Sequence, residues 1–170
     1  PLNANTHFYA FGGTNSRDVE AYAYTRGAGE NRNIDSIYPK GFDPIIASVV
    51  NDHSLSAGIR GDINGWDVDF NTTMGKNKMH YYGRNTLNAS MGEASPTEFD
   101  DGGFSLSQAT TSLDFSRYFD NALHGLNIAY GAEYRIDNYT IFAGEQASWD
   151  NYGEVFIDGG DTTTRPGGAQ

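Results

Sequence analysis

The nine residues from Trp66 to Met74 read W-D-V-D-F-N-T-T-M. Side chains along a strand alternate between its two faces. Trp66, Val68, Phe70, Thr72 and Met74 therefore share one face, and Asp67, Asp69, Asn71 and Thr73 share the other. One face is apolar and aromatic; the other is polar and acidic. Two architectures accept such a strand. A soluble sandwich buries the apolar face beneath a second sheet. A membrane barrel turns it toward lipid and keeps the charges in an aqueous lumen.

The same alternation returns downstream. Leu126, Ile128, Tyr130, Ala132, Tyr134 and Ile136 oppose Asn127, Gly131, Glu133, Arg135 and Asp137; Ala109, Thr111, Leu113, Phe115 and Phe119 oppose Thr110, Ser112, Asp114 and Ser116. Arg117 interrupts that last apolar face near a short turn, where a long cation reaches an interface. Each apolar stretch runs for about 10 residues, which at a tilt near 45° spans on the order of 25 Å, the height of a barrel's lipid-facing band. In the first segment, Phe8, Ala10 and Gly12 alternate with Tyr9 and Phe11, and the pattern leaves open which set faces which way. Strands are expected at about 5–26, 44–63, 66–91, 105–119 and 126–144, with 145–170 an exposed loop.

Connection lengths separate the two architectures. Asn64-Gly65 is a strong two-residue hairpin signal, and 120–125 is also short, whereas 27–43 and 92–104 are long. Short turns at one end and long loops at the other are the habit of outer-membrane barrels. An odd number of strands leaves unpaired edges that a membrane does not tolerate. The expected fold is all-β: an antiparallel meander forming one arc of a larger transmembrane barrel.

Composition is consistent with strands. Aromatic residues make up 14% of the 170 residues, there are 21 glycines, and no apolar run approaches the roughly 20 residues of a helical span. Cysteine is absent, so neither disulfides nor thiolate metal sites hold the fold. A net charge of -11 argues against a nucleic-acid partner. The chain opens at Pro1 without Met or a leader, as expected of a mature or excised piece, and its Gly- and Thr-rich tail from Asp158 to Gln170 reads as a loop without a closing strand.

Several ordered segments carry a family likeness: G-D-I-N-G-W-D-V-D from Gly61, N-A-S-M-G-E-A-S-P-T from Asn88, Y-G-A-E-Y-R from Tyr130, Y-T-I from Tyr139 and G-E-Q-A-S from Gly144. Together, over roughly 6–152, they resemble the barrel of TonB-dependent outer-membrane receptors. The resemblance implies a bacterial outer-membrane location and about five strands of a barrel of about 22, closed around an N-terminal plug. It implies import of a scarce nutrient (a ferric siderophore, cobalamin or a glycan) powered by the TonB-ExbB-ExbD complex through a plug segment that this sequence lacks. Outer-membrane lipid and lipopolysaccharide are the implied surroundings. A non-transporting barrel and a soluble β-sandwich adhesin or binding module remain the alternatives.

Candidate residues follow from position. Asp67, Asp69, Asp114, Glu133, Arg135 and Asp137 are expected to face the lumen, with Arg135 pairing across strands with Asp114 or Asp67. Tyr81, Arg84, Tyr38, Trp149 and Tyr152 lie toward the long loops, where aromatic and guanidinium groups stack on a substrate or simply form a girdle with Tyr82. Lys76 and Lys78, just past the apolar band, are placed to meet lipopolysaccharide phosphates. No catalytic residue is expected. Glu133 and Asp137 stand about 13 Å apart by strand rise, beyond the roughly 5–9.5 Å of paired glycosidase carboxylates. The four histidines show no ligand spacing, and Asp100-Asp101 and Asp158-Gly159-Gly160-Asp161 read as loop punctuation rather than calcium loops, so neither metal nor cofactor is expected.

Overall fold

The computed structural model describes residues 5–170; Pro1 lies outside them. The chain is all-β. Five long strands, β1 (Thr6–Tyr22), β2 (Ile45–Ile63), β3 (Trp66–Arg84), β4 (Glu98–Phe119) and β5 (Leu126–Ala143), form one antiparallel sheet in the order β1-β2-β3-β4-β5. A separate hairpin pairs β6 (Val155–Asp158) with β7 (Asp161–Thr164). No helix among the described residues is long and apolar enough to cross a membrane.

The strands pass through two compact units. The first comprises residues up to Asn15, Asn51–Asn77 and Ser105–Tyr139; the second comprises Ser16–Val50, Lys78–Phe104 and Thr140–Gln170.

In the first unit the alternation of the sequence becomes two distinct faces. Asn64 and Gly65 adopt φ of 55° and 79°, the left-handed pair that a two-residue hairpin needs. That turn sets Ile63 against Trp66, and the register holds along both strands. The Ser56 and Thr73 hydroxyls meet at 2.8 Å, and Asn77 Nδ2 donates to Asp52 Oδ1 at 2.6 Å. On the opposite face the Thr72 and Thr111 hydroxyls meet at 3.0 Å. Near the short turns this second face carries an aromatic cluster. The Trp66 ring lies 5.4 Å from Tyr130 and 6.2 Å from Phe119, and Phe115 stacks on Tyr130 at 5.1 Å. The Arg117 guanidinium sits 4.9 Å from the Phe119 ring and donates to the Asn64 carbonyl at 3.2 Å. The cation thus leaves the apolar face by reaching to the turn. β1 resolves its open alternative: Tyr9 and Phe11 stack at 6.3 Å on the face that carries Asp69.

In the second unit the long loops pack a core of their own. Ile34, Phe42, Leu87 and Ala89 are buried together, with Ile37 and Tyr38 against them. Asn88, with 0% exposure, ties two loops together. Its Nδ2 donates to the carbonyls of Ala147 (2.8 Å) and Asp150 (2.9 Å), and its Oδ1 accepts from Ser90 N and Oγ. The C-terminal residue joins the same network: Gln170 N donates to the Leu87 carbonyl, and Thr86 Oγ1 donates to the Gln170 carbonyl.

Three expected boundaries shift. β1 ends at Tyr22, although a bridge between Arg26 and Phe42 continues the pairing. β3 stops at Arg84 rather than near Met91, because Asn85 turns to φ 48° and the next residues enter the loop core, where Ala89–Ala94 forms short 3-10 turns. β4 starts at Glu98, seven positions before expectation. Its first residues, Phe99 apart, are polar or glycine and show no alternation, but pairing needs only backbone groups. Gly102, at φ 74°, lets the strand bend against the backbone of Phe142 and Gly144. The stretch 145–170 is not plain loop: it holds a 3-10 turn at Gln146–Ser148 and the β6–β7 hairpin.

Asn88→Ala orphans two carbonyls and two donors. It is expected to lower the local stability of 86–94 and 146–152 by about 1–3 kcal/mol, read as faster amide exchange there with exchange of 66–74 unchanged.

Candidate functional site

The polar face of the first unit is a network rather than a row of solvated charges. Arg60 on β2 makes a two-pronged contact with Asp67 on β3: Nε donates to Oδ1 at 3.0 Å, and Nη2 donates to Oδ2. Tyr9 on β1 reaches across β2 and donates to Asp69 Oδ1 at 2.8 Å. Its path runs over Gly58, where a Cβ would stand 2.5 Å from the Tyr9 ring. Glycine is required at that close approach. Arg60, Asp67, Asp69, Asp114 and Gly131 line a groove of about 480 Å³.

Of the six residues expected on the lumen side, Asp67, Asp69 and Asp114 come together in this groove. Arg135 and Asp137 do not join it. The expected cross-strand partner of Arg135 is replaced by a carboxylate on its own strand: Nε donates to Asp137 Oδ2 at 3.0 Å, and Gln108 Nε2 donates to Asp137 Oδ1 at 2.8 Å. Asp67 is instead paired with Arg60 on β2. Glu133 lies on the same strand, two positions before Arg135. Sequence reasoning named neither Arg60 nor Tyr9 as a site residue. The signal for Arg60 was present: a two-residue turn at Asn64-Gly65 sets Arg60 opposite Asp69 and diagonal to Asp67. Tyr9 had no such signal, since no short turn links β1 to β2.

Lys76 lines a second groove of about 340 Å³ with His53, Leu55, Met74, Ala109 and Asn138, where the apolar face gives way to polar groups. Lys78 belongs to the second unit, its Nζ 5.0 Å from the Phe142 ring centroid. His80 stacks on Tyr82 at 4.5 Å and bonds Asp100 Oδ1 at 2.7 Å.

The five loop-side candidates all lie in the second unit, and the contacts give them separate roles. Tyr38 stacks on Phe42 at 4.5 Å as part of the loop core. Arg84 Nη1 pairs with Glu20 Oε1 at 2.6 Å. Tyr81 donates to Met79 Sδ at 3.1 Å, its ring 6.3 Å from Phe104. Trp149 and Tyr152 are exposed. Two loop cavities in this unit are lined instead by residues that include Glu30, Asn33, Phe156 and Arg165, and Glu30, Asp158 and Asp161. The Asp158-Gly159-Gly160-Asp161 segment is the tight turn of the β6–β7 hairpin, Gly159 and Gly160 having φ of 56° and 98°.

Two adjacent loop-side carboxylates are pushed in opposite directions. Partial withdrawal from water raises Asp101, a Ser148 hydrogen bond opposes this, and the charges of Asp100 and Glu145 raise it further; it ends above its ordinary value. Withdrawal from water also raises Asp100, but hydrogen bonds from His80 and the Gly102 N–H, with the charges of His80 and Lys78, outweigh it and hold that carboxyl low. A carboxyl raised on folding binds its proton more tightly in the folded state. Asp101 therefore adds stability as pH falls through its raised value and withdraws it as pH rises. Asp100 contributes above the ordinary carboxylate value, and its contribution is lost as pH falls through its lowered one.

No family model matches the chain, and comparisons with curated proteins and with solved structures returned no match.

Gly58→Leu is expected to displace Tyr9 and break its bond to Asp69, seen as loss of the Tyr9 hydroxyl proton coupling by NMR, whereas Arg60→Ala costs no more than about 1 kcal/mol because the Arg60–Asp67 pair is exposed. Asp101→Asn is expected to slow amide exchange at 98–104 and 145–150 near neutral pH, with no effect near about pH 3, where the wild-type carboxyl is already protonated.

Proposed function

We propose that the chain is an arc of a TonB-dependent outer-membrane transporter, with the apolar face of the sheet toward lipid and the Arg60–Asp67–Asp69 face toward a water-filled lumen. In this reading the long loops and Tyr81, Arg84, Trp149 and Tyr152 lie outside the cell and meet a ferric chelate, cobalamin or glycan. A plug and the TonB-ExbB-ExbD complex supply gating and energy. The protein moves its substrate without making or breaking bonds.

One observation carries the reading. Phe70 is 52% exposed, Ile128 39% and Tyr134 69%, all on the face opposite the charges. A soluble sandwich would have buried them. Leu55, Ile59 and Met74 are likewise exposed on the same side. An apolar band of that extent in water invites association; against acyl chains it needs no cover. Alternating short (64–65, 120–125) and long (23–44, 85–97) connections support the same orientation. The outermost strands, β1 and β5, would pair with further strands to close the barrel.

Phe70→Arg in the full-length protein, refolded into lipid vesicles, is expected to lower stability by about 2–4 kcal/mol. The same change on a water-facing strand alters stability by no more than about 0.5 kcal/mol, and that smaller value, or a protein that stays monomeric without detergent, would overturn the membrane placement. Transport is tested by uptake of candidate nutrients in cells with and without the TonB complex; uptake that persists without it overturns energy coupling.

A further inference from the structure

Three arginines of the sheet, Arg60, Arg84 and Arg135, each meet a carboxylate. Arg117, on β4 in the first unit, meets none among the described residues. It also stands on the apolar face, with its Cζ 5.9 Å from the Trp66 ring centroid and 4.9 Å from that of Phe119. Nη1 donates to the Asn64 carbonyl at 3.2 Å, and neither Nε nor Nη2 has a hydrogen-bond partner among the described residues. Aromatic faces attract a guanidinium but do not neutralise it. The cation therefore keeps its charge and two of its nitrogens for an anion from outside the chain.

What lies beside the cation selects the anion. The rings of Trp66, Phe115, Phe119 and Tyr130 pack on one another next to it. From there the exposed apolar face continues through Leu113, Ile128 and Phe70 to Met74. The run from Trp66 to Met74 is about 26 Å long at roughly 3.3 Å per residue, more than the depth of one leaflet's acyl chains, about half of a ~30 Å hydrocarbon core. A free phosphate or an acidic peptide would use the guanidinium and leave that face bare. A molecule with an anionic head and long apolar tails covers both. A zwitterionic head brings its own ammonium to its phosphate, so charge complementarity favours a head with net negative charge.

We propose that Arg117, with Trp66 and Phe119 beside it, is a headgroup site for an anionic phospholipid at the short-turn end of the sheet. Its N–H groups donate to phosphate oxygens, and the acyl chains lie along Leu113, Ile128 and Phe70. The site rests on the membrane placement proposed above and adds to it a preference among lipids. The chain carries a net charge of -11, so its overall field opposes such a preference, and one found at Arg117 is local.

Trp66 supplies the reporter, its ring lying beside the guanidinium. The full-length protein is refolded into phosphatidylcholine vesicles. A rising fraction of the lipid is then replaced by phosphatidylcholine or phosphatidylglycerol brominated on the acyl chains near the ester, and quenching of Trp66 fluorescence is read by difference against Trp66→Phe. Brominated phosphatidylglycerol is expected to occupy the site about fivefold more tightly than brominated phosphatidylcholine, with the ratio falling as sodium chloride is raised. Arg117→Gln is expected to bring the ratio to unity, Arg117→Lys to keep most of it, and Arg32→Gln in a loop to leave it unchanged. Equal quenching by the two lipids, or an undiminished ratio in Arg117→Gln, overturns the headgroup site and leaves the membrane placement standing. Absence of quenching by either lipid overturns the membrane placement and the site with it. Should Arg117→Gln not fold, the salt dependence carries the test, and a ratio unmoved by salt overturns the proposal.

Discussion

Register is the constraint on which the sheet depends. A strand that slips by one residue sends every side chain to the other face. Here a slip would exchange Asp67 and Asp69 for Trp66, Val68 and Phe70. The left-handed pair at Asn64-Gly65 prevents it by allowing only one closure of the β2–β3 hairpin. The paired hydroxyls of Ser56 and Thr73, and the Asn77–Asp52 bond, show the same register maintained well beyond the turn. Arg60 then lies beside Asp67, and β2 presents Gly58 where Tyr9 must cross to Asp69. Charge, aromatic ring and glycine each act through a position that the turn has already set.

The loops obey a different logic. Their stability does not come from a lipid or sheet face but from buried polar groups that satisfy one another. Asn88 makes four hydrogen bonds in a site closed to water, and Ile34, Phe42 and Leu87 supply apolar cover around it. A buried side-chain amide with all its groups paired specifies one arrangement, since any other leaves a donor or acceptor unpaired. Loops held in this way present a fixed surface and a small cavity with a defined lining.

The two-faced sheet and the ordered loops together explain the composition. Few apolar residues are buried: one sheet face is apolar and exposed, and the other is polar. In the proposed membrane reading, a mean hydropathy of -0.57 is accommodated because only alternate side chains meet lipid. The large negative charge is distributed between the polar sheet face and the loops, where Glu30, Asp35, Glu93 and Glu154 gather around one cavity.

Period-two alternation and turn chemistry were legible in the residues themselves. They placed β2, β5 and the start of β3 within a residue or two, identified both short turns, and separated Asp67, Asp69 and Asp114 from Trp66, Phe70 and Leu113. These features are local, so a short window of sequence contains all the information they need. What required the tertiary structure was every pairing between residues without a short connecting turn. Tyr9 finds Asp69 across an intervening strand, Arg135 pairs with Asp137 on its own strand, and the early start of β4 follows from backbone pairing that side chains do not announce. The loop cavity belongs to this second class: Asn33 and Arg165 lie more than a hundred positions apart, and only the folding of three loops onto one another places them at a single site.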